Sequence, residues 1–156
     1  MKKLLLLACF LICTHLSYGQ SISLSDSVQI RQALDEVFRN FESLNYAEFK
    51  KIASKEIWCL VCDAGTPPGP NAQKMSRRKF HSRKLRAIAS SESWARARQM
   101  NDIRLHKENH PSSDISAIIT ILQPGEYAPG HEGASIAIHF KKINGLFKFS
   151  GIETIP

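Results

Sequence analysis

No apolar run in this sequence reaches the roughly 20 residues that cross a bilayer as a helix. The longest, Leu4 to Leu16, covers about 13, which argues against a permanent transmembrane anchor and suits the core of an export signal. Cysteine is scarce too. Of four, Cys9 and Cys13 lie in that run, and Cys59 and Cys62 alone are too few for a disulfide scaffold. No second ligand pair accompanies Cys59 and Cys62, and His81, His106, His110, His131 and His139 are scattered, so neither metal nor cofactor is expected. Aromatic residues are thin among the positive charges, with only Phe80 and Trp94 nearby, so the stacking platforms of nucleic-acid binders are lacking. Internal repeats and low-complexity tracts are absent.

Lys2 and Lys3 precede the apolar run, and Ser17 and Gly19 follow as small residues at −3 and −1 of a cleavage site. Residues 1–19 are therefore read as a signal peptide, making the protein periplasmic or secreted with about 137 mature residues (156 − 19). A lipoprotein alternative uses Leu6, Leu7, Ala8 and Cys9 as a lipobox, but leaves only Leu4 to Ala8 as its apolar core. The mature length is one domain's worth, enough to bury roughly two thirds of the unfolded surface. Residues 20–27 form a short polar lead and 28–156 a single domain.

Without Lys2 and Lys3 the basic count is 19 against 14 acidic residues, a net +5 (19 − 14). Residues 74–107 hold 11 basic residues against Glu92 and Asp102, a local +9 that leaves −4 for the remainder. The basicity is a patch.

Ile30, Leu34, Val37, Phe38, Phe41 and Leu44 recur at helical spacing and predict the first helix. Asn45 and Glu48 read as a capping box opening a second short helix with Phe49 and Ile52 inward, completing a hairpin. Ile57 to Val61 reads as a strand, and Asp63 to Gln73, rich in proline and glycine, as a loop. Ser76 to Ser90 reads as a third helix whose polar face carries the patch. Trp94 to Leu105 is read as a strand, followed by strands at Asp114 to Gln123, Ala134 to Lys141 and Leu146 to Ile155. Asn144 and Gly145 supply a type I′ hairpin between the last two.

A helical hairpin over Val28 to Ile52, a third helix over Phe80 to Ile88 and strands over Ser113 to Ile155 resemble the nuclear transport factor 2-like fold, also called SnoaL-like or ketosteroid isomerase-like. The resemblance implies an α+β cone, with three helices packed on a curved, mostly antiparallel C-terminal sheet and a pocket within it. Some members are isomerases or dehydratases, and many bind ligands without catalysis. Phe38 and Phe41 stand where the isomerases would need a tyrosine, so that activity is not carried over.

Several residues could carry chemistry. His131 and Glu132, flanked by Gly130 and Gly133, combine an imidazole, a carboxylate and backbone freedom, and with Asp63 are the catalytic candidates. Their plain alternative is a solvated turn. His139, Glu153 and Trp58 are ligand-binding candidates, because His139 and Glu153 lie on adjoining strands and either can face the interior of the cone. With Ile143 opposite Leu146, strict alternation pairs His139 with Ser150 and sets Glu153 on the other side of the pleat. Arg77, Arg78, Lys79, Arg83, Lys84 and Arg86 form a surface for an anionic partner or a plain solvated face. Cys59 and Cys62 have redox spacing but follow a strand, where an i, i+3 pair sits too far apart to bridge unless the strand ends at Cys59.

These features predict an exported binding domain, non-catalytic, with its pocket inside the curved sheet. The alternatives are a lyase, isomerase or hydrolase using His131 or a pocket carboxylate, and a C-x-x-C thiol or metal protein. Expected partners are a small-molecule ligand or protein, an anionic glycan or lipid headgroup, or a second copy in a homodimer, rather than nucleic acid.

Overall fold

The computed structural model describes residues 21–60 and 74–155. The expected signal peptide, Asp63 and Cys62 lie outside them. Helix α1 (Leu24–Ser43) buries Ile30, Leu34, Val37 and Phe41, the stripe that its spacing predicts. It starts inside the expected polar lead, because the Ser23 hydroxyl accepts the Asp26 amide at 3.0 Å and caps the first turn. Leu44, left-handed at φ 52°, ends it. Helix α2 (Tyr46–Ile52) follows, with Asn45 Oδ1 accepting the amides of Ala47 and Glu48. Half of the expected capping box forms. The Glu48 carboxylate turns instead to Lys51 Nζ, at 2.8 Å.

Strand β1 (Ala53–Cys59) begins four residues before the expected strand and stops at Cys59. Strand β2 (Lys74–Ser76) is a three-residue edge that no periodicity could reveal. Helix α3 covers residues 77–89 as α-turns at Arg77–Phe80 and Arg86–Ala89 around a π-helical stretch at His81–Leu85. It buries Phe80 and Leu85.

Helix α4 (Glu92–Gln99) corrects the reading of Trp94 to Leu105 as one strand. Its apolar signal is only Trp94 and Ala97, three residues apart, which is too short a stripe for periodicity to register. Tertiary packing decides it. Trp94 stacks on Phe41 with centroids 4.5 Å apart, while Ser91 Oγ accepts the Trp94 amide at the cap. The strand starts later, as β3 (Ile103–His110), an exposed polar edge. Strands β4 (Ser113–Leu122), β5 (Ala134–Ile143) and β6 (Leu146–Ile155) agree with expectation to within three residues.

The four helices pack on one face of a curved six-stranded sheet of order β2-β1-β6-β5-β4-β3. Every neighbouring pair is antiparallel except β1 and β6, which run parallel. Phe149 on β6 meets Phe41, Phe49 and Phe80 from three helices, with centroids 5.4, 6.0 and 5.6 Å away. Phe140 is the cross-strand partner of Phe149, so Ile136, Ile138 and Phe140 share that helix-facing side. All three are fully or nearly fully buried. Rings thus fill the space between this part of the sheet and the helices. Arg77 locks the junction, its Nη1 donating to the carbonyls of Lys50 at 3.0 Å and Ala53 at 2.8 Å.

Candidate functional site

A single extra residue in β6 builds the site. Phe140 pairs with Phe149 but His139 pairs with Gly151, so Ser150 is a bulge residue. Past it, Glu153 stands opposite Ala137, two residues from His139 along β5 and therefore on the same face. Both expected pairings, His139 with Ser150 and Glu153 on the other side, are corrected by this shift. The shared face is the one turned away from the helices.

Around His139 the contacts are close. Ser116, its partner on β4, places Oγ 2.6 Å from Nδ1. Glu153 Oε1 lies 3.2 Å from Nε2, within ion-pair range but without the alignment of a hydrogen bond. The Trp58 ring stands edge-on at 5.2 Å, and His110 lies 5.6 Å from Trp58 on its other side. Gly151 makes this approach possible, since a Cβ there would meet the Trp58 carbonyl oxygen at 2.7 Å and His139 Cδ2 at 3.3 Å.

Trp58, Glu108, His110, Ser112, Ser113, His139, Ser150 and Glu153 enclose a cavity of about 100 Å³. That is room for a few waters or a ligand of a handful of non-hydrogen atoms. Two buried polar atoms on its wall, His139 Nε2 and Ser150 Oγ, have no hydrogen-bond partner among the described residues. His139 and Ser150 are 5% and 2% exposed, so bulk water does not readily serve them. Chemically, the Ser116 contact fixes the imidazole through Nδ1 and leaves Nε2 beside a carboxylate.

The other candidates lie elsewhere. His131 is half-buried on the β4–β5 loop, its Nδ1 accepting the Gly133 amide at 3.0 Å and its ring resting 5.5 Å from Tyr127. Glu132 beside it is exposed. Neither lines the cavity, and Ala134 to His139 alone takes up roughly 17 Å of strand. Arg77 leaves the expected patch for its structural role, whereas Arg78, Lys79, Arg83 and Arg86 are exposed on α3 and Lys84 is half-buried. Cys59 is buried and disulfide-bonded, to a partner outside the described residues. The condition that β1 end at Cys59 is met. Among the described residues no three His, Cys, Asp or Glu side chains converge as a metal site, and no helix is long and apolar enough to cross a membrane.

Periodicity could not supply Ser116, Ser150, Gly151, Glu108 and His110. A glycine within a strand pattern, Gly151, is the one available hint of a bulge.

An open groove of about 670 Å³ runs between the start of α1 and the edge strand β3, past Ile22, Arg31, Ile103 and Lys107. It is larger than the cavity at His139 but shows no unpartnered buried polar group.

No protein-family model matches the chain, and no curated protein is significantly similar to it. Among solved structures, a designed nuclear transport factor 2-like protein is similar at 13% identity and a TM-score of 0.46, with 85% of this chain and 100% of that chain covered. The strand order and helix packing stand on this chain alone.

Proposed function

We propose that this is an exported, non-catalytic domain of nuclear transport factor 2-like architecture that binds a small polar ligand in the cavity at His139, Glu153 and Trp58. The carrying observation is that Ser150, whose buried Oγ has no hydrogen-bond partner among the described residues, lines one small cavity with the His139–Glu153 pair. An unserved buried polar group costs about 1–3 kcal/mol, which a hydrogen-bonding ligand recovers. The order of helices and strands supports the architecture, and the charged start with its apolar run supports export. A disulfide at Cys59 fits an oxidising compartment.

A thermal-shift screen with small polar metabolites tests the reading. A ligand at a hundred times its Kd adds about 2.7 kcal/mol of stability. The same shift should vanish in Ser150→Leu, whose side chain occupies the cavity. Uniformly unchanged melting temperatures would reject the site.

The alignment of Ser116, His139 and Glu153 favours a second reading, an acid–base enzyme of the lyase or isomerase type working through the pocket carboxylate Glu153 rather than His131. It predicts turnover that falls at least a hundredfold in His139→Gln while ligand binding persists.

A further inference from the structure

The charge on the cavity wall narrows the ligand. Glu108 and Glu153 line it beside His110 and His139, and no lysine or arginine does. The nearest basic side chain on that face of β5, Lys141, donates from Nζ to the Pro111 carbonyl and is not among the lining residues. In a chain that is basic overall, this pocket is a local acidic spot. Anions are therefore repelled where cations are drawn in.

Three further features shape the cation. Trp58 forms one wall, and an indole attracts a cation set over its face. Ser150 Oγ is a buried acceptor with nothing to accept. The absence of three converging carboxylate, imidazole or thiolate donors among the described residues disfavours a bare metal ion, which needs such a set. An ammonium group, by contrast, donates three hydrogen bonds in a tetrahedral spread. Glu108, Glu153 and Ser150 offer it three acceptors, and its carbon substituents can lie along the indole.

Resting on the ligand-binding reading above, we propose that the cavity receives the ammonium head of a small organic amine, held by Glu108, Glu153 and Ser150 Oγ against Trp58. His139, fixed by Ser116, orients the Glu153 carboxylate and is a positioning residue. The cavity of about 100 Å³ admits the head group and one or two carbons.

Three probes of nearly the same size separate the possibilities: ethylammonium, ethanol and acetate, titrated into the folded protein and followed by Trp58 emission and melting temperature. The amine should bind at least tenfold more tightly than ethanol, and acetate should not bind. Glu153→Gln should weaken ethylammonium at least tenfold while leaving ethanol nearly unchanged, and Glu108→Gln, at a half-buried edge-strand position, gives the same readout if Glu153→Gln fails to fold. Equal or tighter binding of ethanol or acetate would overturn the amine assignment and leave the binding site standing. Silence from all three probes, together with a metabolite screen without a single shift, would overturn both.

Discussion

Gly151 offers the sharpest test of the site's construction, through Gly151→Ala. The glycine is not needed for an unusual backbone angle, since its φ lies outside the left-handed range, so the effect of alanine is purely one of space. Its Cβ would stand 2.7 Å from the Trp58 carbonyl oxygen, 3.2 Å from Trp58 Cβ and 3.3 Å from His139 Cδ2. The first contact is with backbone that β1 and β6 hold in register through Trp58–Gly151 and Cys59–Ile152. Relief requires the two strands to separate locally, and overpacking of this kind costs about 1–3 kcal/mol. For a domain of this size that corresponds to a melting temperature lowered by roughly 4–12 °C. Chemical denaturation of Gly151→Ala beside Gly130→Ala checks it. Gly130 lies at φ 84° with no atom within 4 Å of the place a Cβ would take, so alanine there strains the backbone by about 1 kcal/mol without a clash. The two variants should differ in place as well as size, because only Gly151→Ala should shift Trp58 emission and weaken ligand binding. Wild-type stability in Gly151→Ala would refute the close junction of β1 with His139.

Three other outcomes follow from the same geometry. Ser150→Ala should leave the unliganded protein equally stable or up to about 1 kcal/mol more stable in denaturant, since it removes a buried hydroxyl with no partner, while weakening the ligand; marked destabilisation would mean that the hydroxyl is served after all. Arg77→Ala should lose about 1–3 kcal/mol by removing the donor to the Lys50 and Ala53 carbonyls, and Arg77→Lys should recover part of the loss because both bonds come from the one nitrogen Nη1, which an ammonium can replace; a lysine variant no more stable than alanine in a melting experiment would contradict this. On the acid side, Asp26 is held below the usual carboxylate range chiefly by its bond from Lys142 and then by Ser23, and Glu126 chiefly by the Gln123 amide and then by Arg96. A carboxyl lowered on folding contributes stability that is present above its unfolded value, about 4, and lost as pH falls through the folded one. Melting temperature should therefore drop below about pH 4, and less steeply in the Asp26→Asn, Glu126→Gln double variant; an unchanged slope would assign the acid sensitivity to other groups.

Legibility in the sequence tracks how much of each element's signal is local. The α1 stripe from Ile30 to Phe41 and the turn at Asn144 and Gly145, with φ of 52° and 80°, are readable because apolar period and positive φ are properties of neighbouring residues. Helix α4 escapes such a reading because its helicity depends on Trp94 finding Phe41, some fifty residues away in the chain. Strand β3 is blurred for the opposite reason. As an exposed edge it carries charges on both faces, which protects against edge pairing and erases alternation.

The site residues show why a correct turn does not give a correct site. From Ile143 opposite Leu146, alternation carries Phe147 and Phe149 properly onto the helix face, yet continued without a break it would bring Glu153 onto that face and turn Ile152 out of it. Such a register would set a carboxylate beside the rings around Phe149 and expose an isoleucine now 1% accessible. A carboxylate buried without a partner costs several kcal/mol, and the lost isoleucine burial about 2 more, whereas one bulge leaves a few backbone groups to be paired otherwise. The bulge at Ser150 is thus what hydrophobic burial itself demands of the segment Phe149 to Glu153. By meeting that demand it places a carboxylate and an imidazole side by side on the face turned away from the helices, so that the core's requirement and the binding site have one structural cause.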